Sequence, residues 1–337
     1  MNIFKKIMII LLCLLMLPWI MYFIFAYKGI IFSFFAKNSL KGKIVYSLRS
    51  ASSIDIRSVD LPSGKKEKIY SFVPRDEDSH PGIFNSLSFS PKGNKIIFSK
   101  RGQSSDDYNE FKLFNMDINS LEINKFFNIK GISELYVSYS PDGKNIALIV
   151  QKPYDQGSLY VSNIDKPYSS LKMICNIRPA NLRLSWSPDG DSISFVSDEY
   201  IRKRISARWR SETFAGKAFI INNDGTGLKQ LKANSPVSWS PDGKLLLYRR
   251  EDGYYISNKN QTQEYLFISY KRAPLSMLVE DPSFAVWSPD GRYIAYVKEI
   301  WPGGVGLGIF VVPLDNPGCE IQVSVEIYGV TEMVWVK

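Results

Sequence analysis

Five stretches of the chain alternate large apolar residues with serine and then pass through the same polar turn. In one of them, Leu184 and Trp186 alternate with Ser185 and Ser187. A period of two is typical of a β-strand, in which alternate side chains point to opposite faces. Each stretch ends in Ser-Pro-Asp-Gly or a close variant, which favours a tight turn because proline fixes φ and glycine accepts positive φ. A second apolar run follows, so each copy predicts strand, turn and strand.

The five copies recur at a regular spacing. Their turn prolines are Pro91, Pro141, Pro188, Pro241 and Pro289, with steps of 50, 47, 53 and 48 residues. Two further strand-like runs follow in the units, for example at residues 111–117 and 122–127. Self-similarity at 40–50 residues with four strands in each unit predicts the blades of a β-propeller.

The two ends of the repeat region complement each other. Residues 42–47 match the second strand of the unit but have no first strand before them. Residues 330–336 match the first strand but have no turn after them, and Trp335 takes the place that Trp186 has in its own unit. We therefore predict an all-β, six-bladed propeller closed by pairing of the N- and C-terminal strands, an arrangement that removes free sheet edges.

The N-terminal segment has a different character. Residues 7–27 contain no charged side chain, and Lys5 and Lys6 precede them. Twenty-one apolar residues are long enough to cross a bilayer as one helix, and no small-x-small cleavage site follows them. The prediction is an uncleaved signal anchor and transmembrane segment in residues 1–37, followed by the propeller in residues 38–337. A removed signal peptide is the alternative.

The charge balance gives no case for nucleic acid. The formal net charge of the chain is +9, but residues 1–37 hold four lysines and no acidic residue. The remaining 300 residues therefore carry only about +5, which is ordinary for a soluble domain.

Catalytic motifs are scarce. The single histidine, His80, has no Gly-x-Ser-x-Gly nucleophile elbow to serve, so a Ser-His-Asp triad is not indicated. The glycines in residues 301–310 lead into a predicted strand, whereas a phosphate-binding loop opens a helix. Neither the histidine count nor the cysteine spacing fits a zinc site. We predict no catalytic residue, no metal and no cofactor.

Two groups of residues are candidates for binding. The first is the set of turn positions, which equivalent strands should bring to one face of the ring. Its members are Lys92, Asp142, Asp189, Asp242 and Asp290. Each aspartate either caps only its own turn or also shares in ligand or cation binding.

The second group is an insertion at residues 198–217, in which basic and aromatic residues are interleaved. The predicted partner-binding residues are Arg202, Lys203, Arg204, Arg208, Trp209 and Arg210. Apolar residues here recur at helical spacing, so a short amphipathic helix with a basic face is one interpretation. Anionic headgroups, acidic glycans or an acidic protein would suit that face. A solvated hairpin is the other interpretation.

Residues 221–250, with their hairpin and Ser-Pro-Asp-Gly turn, resemble a unit of the TolB-type, WD40-like propeller family, and the resemblance extends over residues 42–337. It implies a protein-binding scaffold in the cell envelope, with the propeller in the periplasm or otherwise outside the cytoplasm. Together with the apolar segment at residues 7–27, this predicts a membrane-anchored, non-enzymatic propeller. The partner would be a protein or another envelope component. The chain departs from the family in having Lys92 instead of aspartate in its first turn. A polysaccharide lyase or hydrolase, or a small-ligand sensor, with its site at the channel mouth is the alternative function.

Overall fold

A computed structural model gives the fold of most of the propeller region. It describes residues 38–50, 53–72, 84–101, 110–152, 157–177, 179–197, 216–233, 235, 237–250, 252–269, 285–300, 307–326 and 329–337. The predicted membrane segment at residues 7–27 lies outside these residues. Within the described ranges, no helix combines the length and the apolar character needed to cross a membrane.

The described strands form six antiparallel sheets of four strands each, which are the six predicted blades. From inner to outer strand, blade 1 consists of β24 (Gly329–Val336), β1 (Gly42–Arg49), β2 (Ile54–Leu61) and β3 (Lys66–Phe72); blade 2 of β4 (Phe84–Phe89), β5 (Lys95–Arg101), β6 (Glu110–Asp117) and β7 (Ile123–Lys130); and blade 3 of β8 (Glu134–Tyr139), β9 (Asn145–Gln151), β10 (Gly157–Asn163) and β11 (Lys172–Ile177). Blade 4 consists of β12 (Pro179–Trp186), β13 (Ser192–Ser197), β14 (Lys217–Asn222) and β15 (Lys229–Gln230); blade 5 of β16 (Ser238–Trp239), β17 (Leu245–Arg250), β18 (Gly253–Asn258) and β19 (Glu264–Ser269); and blade 6 of β20 (Ala285–Trp287), β21 (Tyr293–Glu299), β22 (Leu307–Pro313) and β23 (Ile321–Glu326).

The hydrophobic core lies between the blades. Six clusters of buried side chains each join two neighbouring blades, and together they complete the ring. The second strand of a blade contributes side chains to the clusters on both of its faces. In β9, Ile146 and Leu148 pack toward blade 2, whereas Ala147 and Ile149 pack toward blade 4. This explains why these strands are continuous apolar runs, because both faces of each blade are covered by a neighbour.

The predicted closure of the ring is confirmed. β24 is the inner strand of blade 1 and pairs antiparallel with β1, so that Trp335 lies opposite Ile44 and Met333 opposite Tyr46. The indole N–H of Trp335 donates a hydrogen bond of 2.9 Å to the carbonyl of Lys41. The pairing makes β24 the inner strand of blade 1, just as β4 is the inner strand of blade 2.

A buried ionic network strengthens the junction between blade 6 and blade 1. Glu326, at the end of β23, is only 3% exposed. Its carboxylate accepts hydrogen bonds from Tyr46 Oη at 2.7 Å, from Lys66 Nζ at 3.0 Å and from Arg57 Nη1 at 3.3 Å. Burial acts to raise the pKa of Glu326, but hydrogen bonds from Ser324, Tyr46 and Lys66 outweigh it and leave the pKa below its ordinary value.

The indole hydrogen bond at the closure can be tested against a matched tryptophan. Trp335→Phe removes the donor to Lys41, while Trp239→Phe removes an indole N–H that has no hydrogen-bond partner within the described part of the chain. Both variants lose the same ring atoms. We expect Trp335→Phe to lower the free energy of unfolding by about 1 kcal/mol more than Trp239→Phe. Equal losses in urea titrations would contradict a role for this hydrogen bond in closure.

The Glu326 network predicts a pH-dependent contribution to stability. Glu326→Gln should lower the free energy of unfolding at pH 7 by about 2 kcal/mol, less than for a fully buried pair because Arg57 and Lys66 are partly exposed. Since the pKa of Glu326 is lowered in the fold, its contribution is complete above the ordinary glutamate pKa of 4.5 and is lost as the pH falls through the lower folded value.

The difference between wild type and Glu326→Gln should therefore be constant from pH 7 to about pH 5 and shrink at lower pH. Asp60→Asn is the control, because the Lys43–Asp60 pair is exposed on both sides and should contribute less than about 1 kcal/mol. A larger effect for Asp60→Asn, or a difference that grows on acidification, would show that the network is not the stabilising element.

Candidate functional site

Each Ser-Pro-Asp-Gly turn is held by its own side chains. In the turn of blade 4, Ser187 Oγ donates to Asp189 Oδ1 at 2.5 Å, and the same oxygen accepts the backbone N–H of Asp191 at 3.0 Å. Ser187 Oγ also accepts the backbone N–H of Ser192 at 2.9 Å. Gly190 has a φ of 76°, a left-handed conformation that a side chain would strain. The repeated tetrapeptide therefore makes a rigid corner between the first two strands.

The four turn aspartates are engaged in the same way. The residues whose Oδ1 accepts both the serine hydroxyl and a backbone N–H are Asp142, Asp189, Asp242 and Asp290. The serine hydrogen bond is the largest cause of the lowered pKa at the first three, and at Asp290 the hydrogen bonds outweigh an opposing effect of burial. These carboxylates are thus ionised at neutral pH and cap their turns. A shared role in ligand binding stays a prediction.

The turns contact one another around the ring. A Cβ placed on the turn glycine of one blade would lie 3.6–3.9 Å from the turn proline of the preceding blade. The contacting pairs are Gly143 with Pro91, Gly190 with Pro141, Gly243 with Pro188, and Gly291 with Pro241. In blade 1 the chain has no such proline, and Val336 takes its place: a Cβ on Gly93 would be 2.7 Å from Val336 Cγ1. The turns therefore form one connected face, which we call the turn face.

Lys92 makes the turn of blade 2 different. With no carboxylate at this position, Ser90 Oγ donates instead to Asn94 Oδ1, at 3.1 Å. The backbone of the turn is nevertheless kept, since Gly93 N–H still donates to the Ser90 carbonyl at 2.8 Å. The Lys92 side chain is exposed and free of the turn, so it adds a positive charge to the turn face where the other four turns carry a negative one.

A pocket of about 560 Å³ opens on the turn face at the mouth of the central channel. We call it the mouth pocket. Its walls come from blades 5, 6, 1 and 2: Pro91, Lys92, Ser238, Trp239, Pro241, Val286, Trp287, Pro289, Val334, Trp335, Val336 and Lys337. The three indoles are each more than nine-tenths buried, so only an edge of each ring faces the opening. Most of the surface offered to a ligand is therefore rigid and apolar.

The charged side chains in the wall of the mouth pocket are both lysines. Lys92 and Lys337 lie in its wall, and both side chains are exposed. The turn carboxylates that follow the lining prolines Pro241 and Pro289 have cations of their own. Asp290 Oδ2 accepts from Arg292 Nε at 2.8 Å, and Asp242 Oδ2 lies 3.7 Å from Lys244 Nζ. The arrangement suits an apolar group that carries or adjoins a negative charge.

No known family model matches the chain. Among curated proteins, Tol-Pal system protein TolB from Francisella tularensis subsp. tularensis (strain WY96-3418) is 26% identical over 268 residues, which cover 77% of this chain and 57% of that protein. TolB from Francisella tularensis subsp. holarctica (strain OSU18) is 26% identical over 230 residues, covering 68% of this chain and 48% of the relative. The chain thus spans about half the length of the curated relatives it matches.

Solved structures give the same result for the fold. TolB from Acinetobacter baumannii superimposes with a TM-score of 0.61 at 18% identity, over 88% of this chain and 66% of that one. The chain is a six-bladed β-propeller that is similar to TolB in sequence and in fold. A nidogen/laminin complex also superimposes, with a TM-score of 0.57 at 9% identity over 87% of this chain and 97% of that one. At such low identities, likeness to solved structures establishes the fold alone.

The other predicted binding residues of this TolB-like propeller cannot be placed. The basic insertion with Arg202, Lys203, Arg204, Arg208, Trp209 and Arg210 lies outside the described residues. The strand ends that it joins, Ser197 of β13 and Lys217 of β14, are at the face opposite the turns. Its role in partner binding stays a prediction. In the described part of the chain, no group of three histidine, cysteine or acidic residues is arranged to hold a metal ion.

Sequence reasoning identified Lys92 but missed the rest of the mouth pocket. The tryptophans were a usable signal, because Trp239 and Trp287 each precede a Ser-Pro segment and Trp335 has the equivalent position in the closing strand. The position of the pocket on one side of the ring could not be derived from the repeats. It depends on which blades carry tryptophan and lysine at these positions.

Lys92→Asp should restore the standard turn chemistry of the TolB-like repeat. The new carboxylate can accept from Ser90 Oγ and from the Asn94 backbone N–H, as Asp142 accepts in blade 3. We expect the free energy of unfolding to rise by about 0.5–1 kcal/mol. The reverse change, Asp142→Lys, should lower it by about 1 kcal/mol. Urea unfolding of both variants checks the pair, and destabilisation by Lys92→Asp would contradict this account of the turn.

Proposed function

We propose that the chain is a membrane-anchored, non-enzymatic propeller that binds a protein partner in the cell envelope through the mouth pocket. Relatives named Tol-Pal system protein TolB support an envelope role for a propeller of this type. The observation that carries the proposal is the pocket itself, in which three indole edges, three prolines and three valines surround about 560 Å³ at the channel mouth.

This lining favours a protein segment as the ligand. Binding energy at protein interfaces concentrates where apolar or aromatic anchors enter rigid, desolvated pockets, and tryptophan and arginine are over-represented there. The walls of the mouth pocket are fixed in advance: Trp287 Nε1 donates to the Ser238 carbonyl at 3.1 Å, and Trp335 Nε1 is held by Lys41. Little ordering of these side chains remains to be done on binding, which favours affinity.

The two lysines of the mouth pocket indicate the charge that the partner should carry. Lys92 and Lys337 would attract an acidic side chain beside the apolar anchor. Both ammonium groups lie at the edge of the pocket, and blades 1 and 2 have no turn carboxylate to neutralise them. Rim charges act mainly on association rate and on the choice of partner. We therefore expect the bound segment to combine one or two large apolar residues with at least one aspartate or glutamate.

Binding is favoured over catalysis by the state of the turn carboxylates. Proton transfer near neutral pH needs a group whose pKa lies near the working pH. The pKa values of Asp242 and Asp290, the turn aspartates nearest the pocket, are lowered instead, and each oxygen that accepts the serine hydroxyl is committed to the turn. The hydrogen bonds of these two aspartates hold the backbone of their turns instead.

Membrane attachment is part of the proposal. Residues 7–27 supply one apolar segment of bilayer length, and ten residues separate it from Asn38, the first described residue. The propeller then lies outside the cytoplasm, as the relatives named for the Tol-Pal system suggest. The basic insertion at residues 198–217 is a second partner contact, at the face opposite the mouth pocket.

Site-specific crosslinking tests the proposed function. A photo-reactive amino acid at position 92, in the pocket wall, should form an adduct with one envelope protein in the native host. The same residue at position 144, an exposed position on the neighbouring turn outside the pocket, is the matched control. Adducts of equal yield from both positions would show that the pocket is not the contact.

A pocket variant completes the test. Pro289→Glu places a charge in the apolar wall at a turn proline that no following glycine packs against, so the fold should tolerate it. We expect the adduct from position 92 to fall at least tenfold while the thermal transition is unchanged, a loss of about 1.4 kcal/mol or more of binding free energy. An unchanged adduct would contradict binding in the mouth pocket.

A further inference from the structure

Large apolar side chains are exposed on the hairpins of three successive blades. They are Leu121 and Ile123 in blade 2, Tyr168, Leu171 and Met173 in blade 3, and Leu228 in blade 4. Their exposed fractions range from 38% to 63%. We call this set the apolar rim. Scattered single residues of this kind need no explanation, but a series in the same hairpin of neighbouring blades does.

The apolar rim belongs to the turn face. The hairpin between the third and fourth strands is bonded to the Ser-Pro-Asp-Gly turn of its own blade: Ile118 N–H donates to the Asn94 carbonyl at 2.8 Å, and Ile164 N–H donates to the Lys144 carbonyl at 2.9 Å. In blade 4, Asn223 N–H donates to the Asp191 carbonyl at 2.8 Å. These bonds fix the three hairpins beside the turns.

The hairpin of blade 3 also contacts the outer strand of blade 2 and the hairpin of blade 4. The rings of Tyr168 and Phe127 lie 4.5 Å apart, and the Tyr168 hydroxyl accepts the backbone N–H of Asn128 at 2.9 Å. Lys172 Nζ donates to the Asp224 carbonyl at 3.2 Å and so connects blade 3 with blade 4. The apolar rim is therefore one rigid arc along blades 2 to 4.

Exposed charged residues of both signs accompany the apolar side chains along this arc. The lysines are Lys125, Lys166, Lys172 and Lys229, and the acidic residues are Glu122, Asp165 and Asp224. Apolar groups at such a surface can enter the boundary of headgroups and acyl chains while long lysine side chains reach the phosphates. Because the charges nearly balance, attachment to a bilayer would rest on the apolar side chains.

The chain enters the propeller on this same face. β1 begins at the turn face, because it is the second strand of its blade and pairs with the end of β24 that lines the mouth pocket. Ser39 Oγ lies 2.5 Å from the hydroxyl of Tyr293, the first residue after the turn of blade 6. The apolar segment at residues 7–27 ends twelve residues before Ser39, which limits the separation to about 43 Å even for extended chain.

We propose that the turn face is the membrane-facing side of the disc and that the apolar rim inserts into the surface of the bilayer. The inference rests on the proposed function for the membrane anchor. The anchor attaches at blades 1 and 6, whereas the apolar rim lies on blades 2 to 4, so two attachments on different sides of the ring hold the disc parallel to the membrane. Tethering also raises the local concentration of lipid at the rim, so weak insertion suffices.

This orientation restricts the partner. The mouth pocket opens toward the bilayer, so the segment that fills it must lie close to the membrane surface, as a segment next to a membrane anchor does. The strand ends Ser197 and Lys217, which the basic insertion joins, point away from the membrane. The two predicted contacts of the propeller thus serve partners at different heights above the bilayer.

Depth-dependent fluorescence quenching tests the orientation with the full chain. Cys13, Cys175 and Cys319 are first replaced by serine. Single cysteines in place of Leu171 and Leu228 then carry an NBD probe on the apolar rim. Matched probes replace Arg49 and Lys152, exposed residues at the opposite ends of β1 and β9. The proteins are reconstituted in phosphatidylcholine–phosphatidylglycerol vesicles with and without nitroxide-labelled lipid.

We expect nitroxide lipid to quench the rim probes at least threefold more than the probes at positions 49 and 152. Flotation of the vesicles is measured on the same samples. Protein that floats with the vesicles but shows equal quenching at all four positions, or stronger quenching at 49 and 152, would overturn the orientation while leaving the anchor intact. Protein that does not float would overturn the anchor, and the orientation with it.

Discussion

The pairing of β24 with β1 is the constraint on which the rest of the molecule depends. Each hydrophobic cluster lies between two blades, so no blade has a core of its own and the ring is stable only when every blade has two neighbours. Blade 1 is made from both ends of the chain, and without β24 it would lack its inner strand. The same strand and the residue after it supply Val334, Trp335, Val336 and Lys337 to the mouth pocket, so ring closure also builds part of the proposed binding site.

A single tetrapeptide serves the fold and the site in different ways. Its serine and aspartate side chains form hydrogen bonds within the turn. Its proline, and the tryptophan where one precedes it, contact the next blade or line the pocket. In four of the blades, the turn proline is covered by a glycine of the following turn. Pro289 has no following turn, because blade 1 ends there in Val336, and its ring is left to line the pocket. The irregularity that closure introduces into the repeat thus forms part of the pocket wall, together with Pro91 and Pro241.

The sequence determined the architecture more fully than the site. The spacing of the turn prolines and the complementary ends of the chain sufficed to predict six blades and their closure, because every repeat imposes the same local geometry. The mouth pocket brings Lys92 beside Val336, and the ionic network brings Arg57 to Glu326, from opposite ends of the sequence. No local pattern encodes such neighbours. The basic insertion and the apolar N-terminal segment were predicted from composition, and both lie outside the described residues.

The connections between strands differ between the two faces of the disc. On the turn face of blades 2 to 6, the hairpin between the third and fourth strands is hydrogen-bonded to the turn between the first and second, as Ile164 is to Lys144, so side chains there are held in fixed relation. The longer connections, among them residues 198–216 and 270–284, all join strands at the opposite face. In the proposed orientation, a rigid face suits a partner held near the membrane, since little has to be ordered when it binds. Connections of variable length are accommodated on the opposite face.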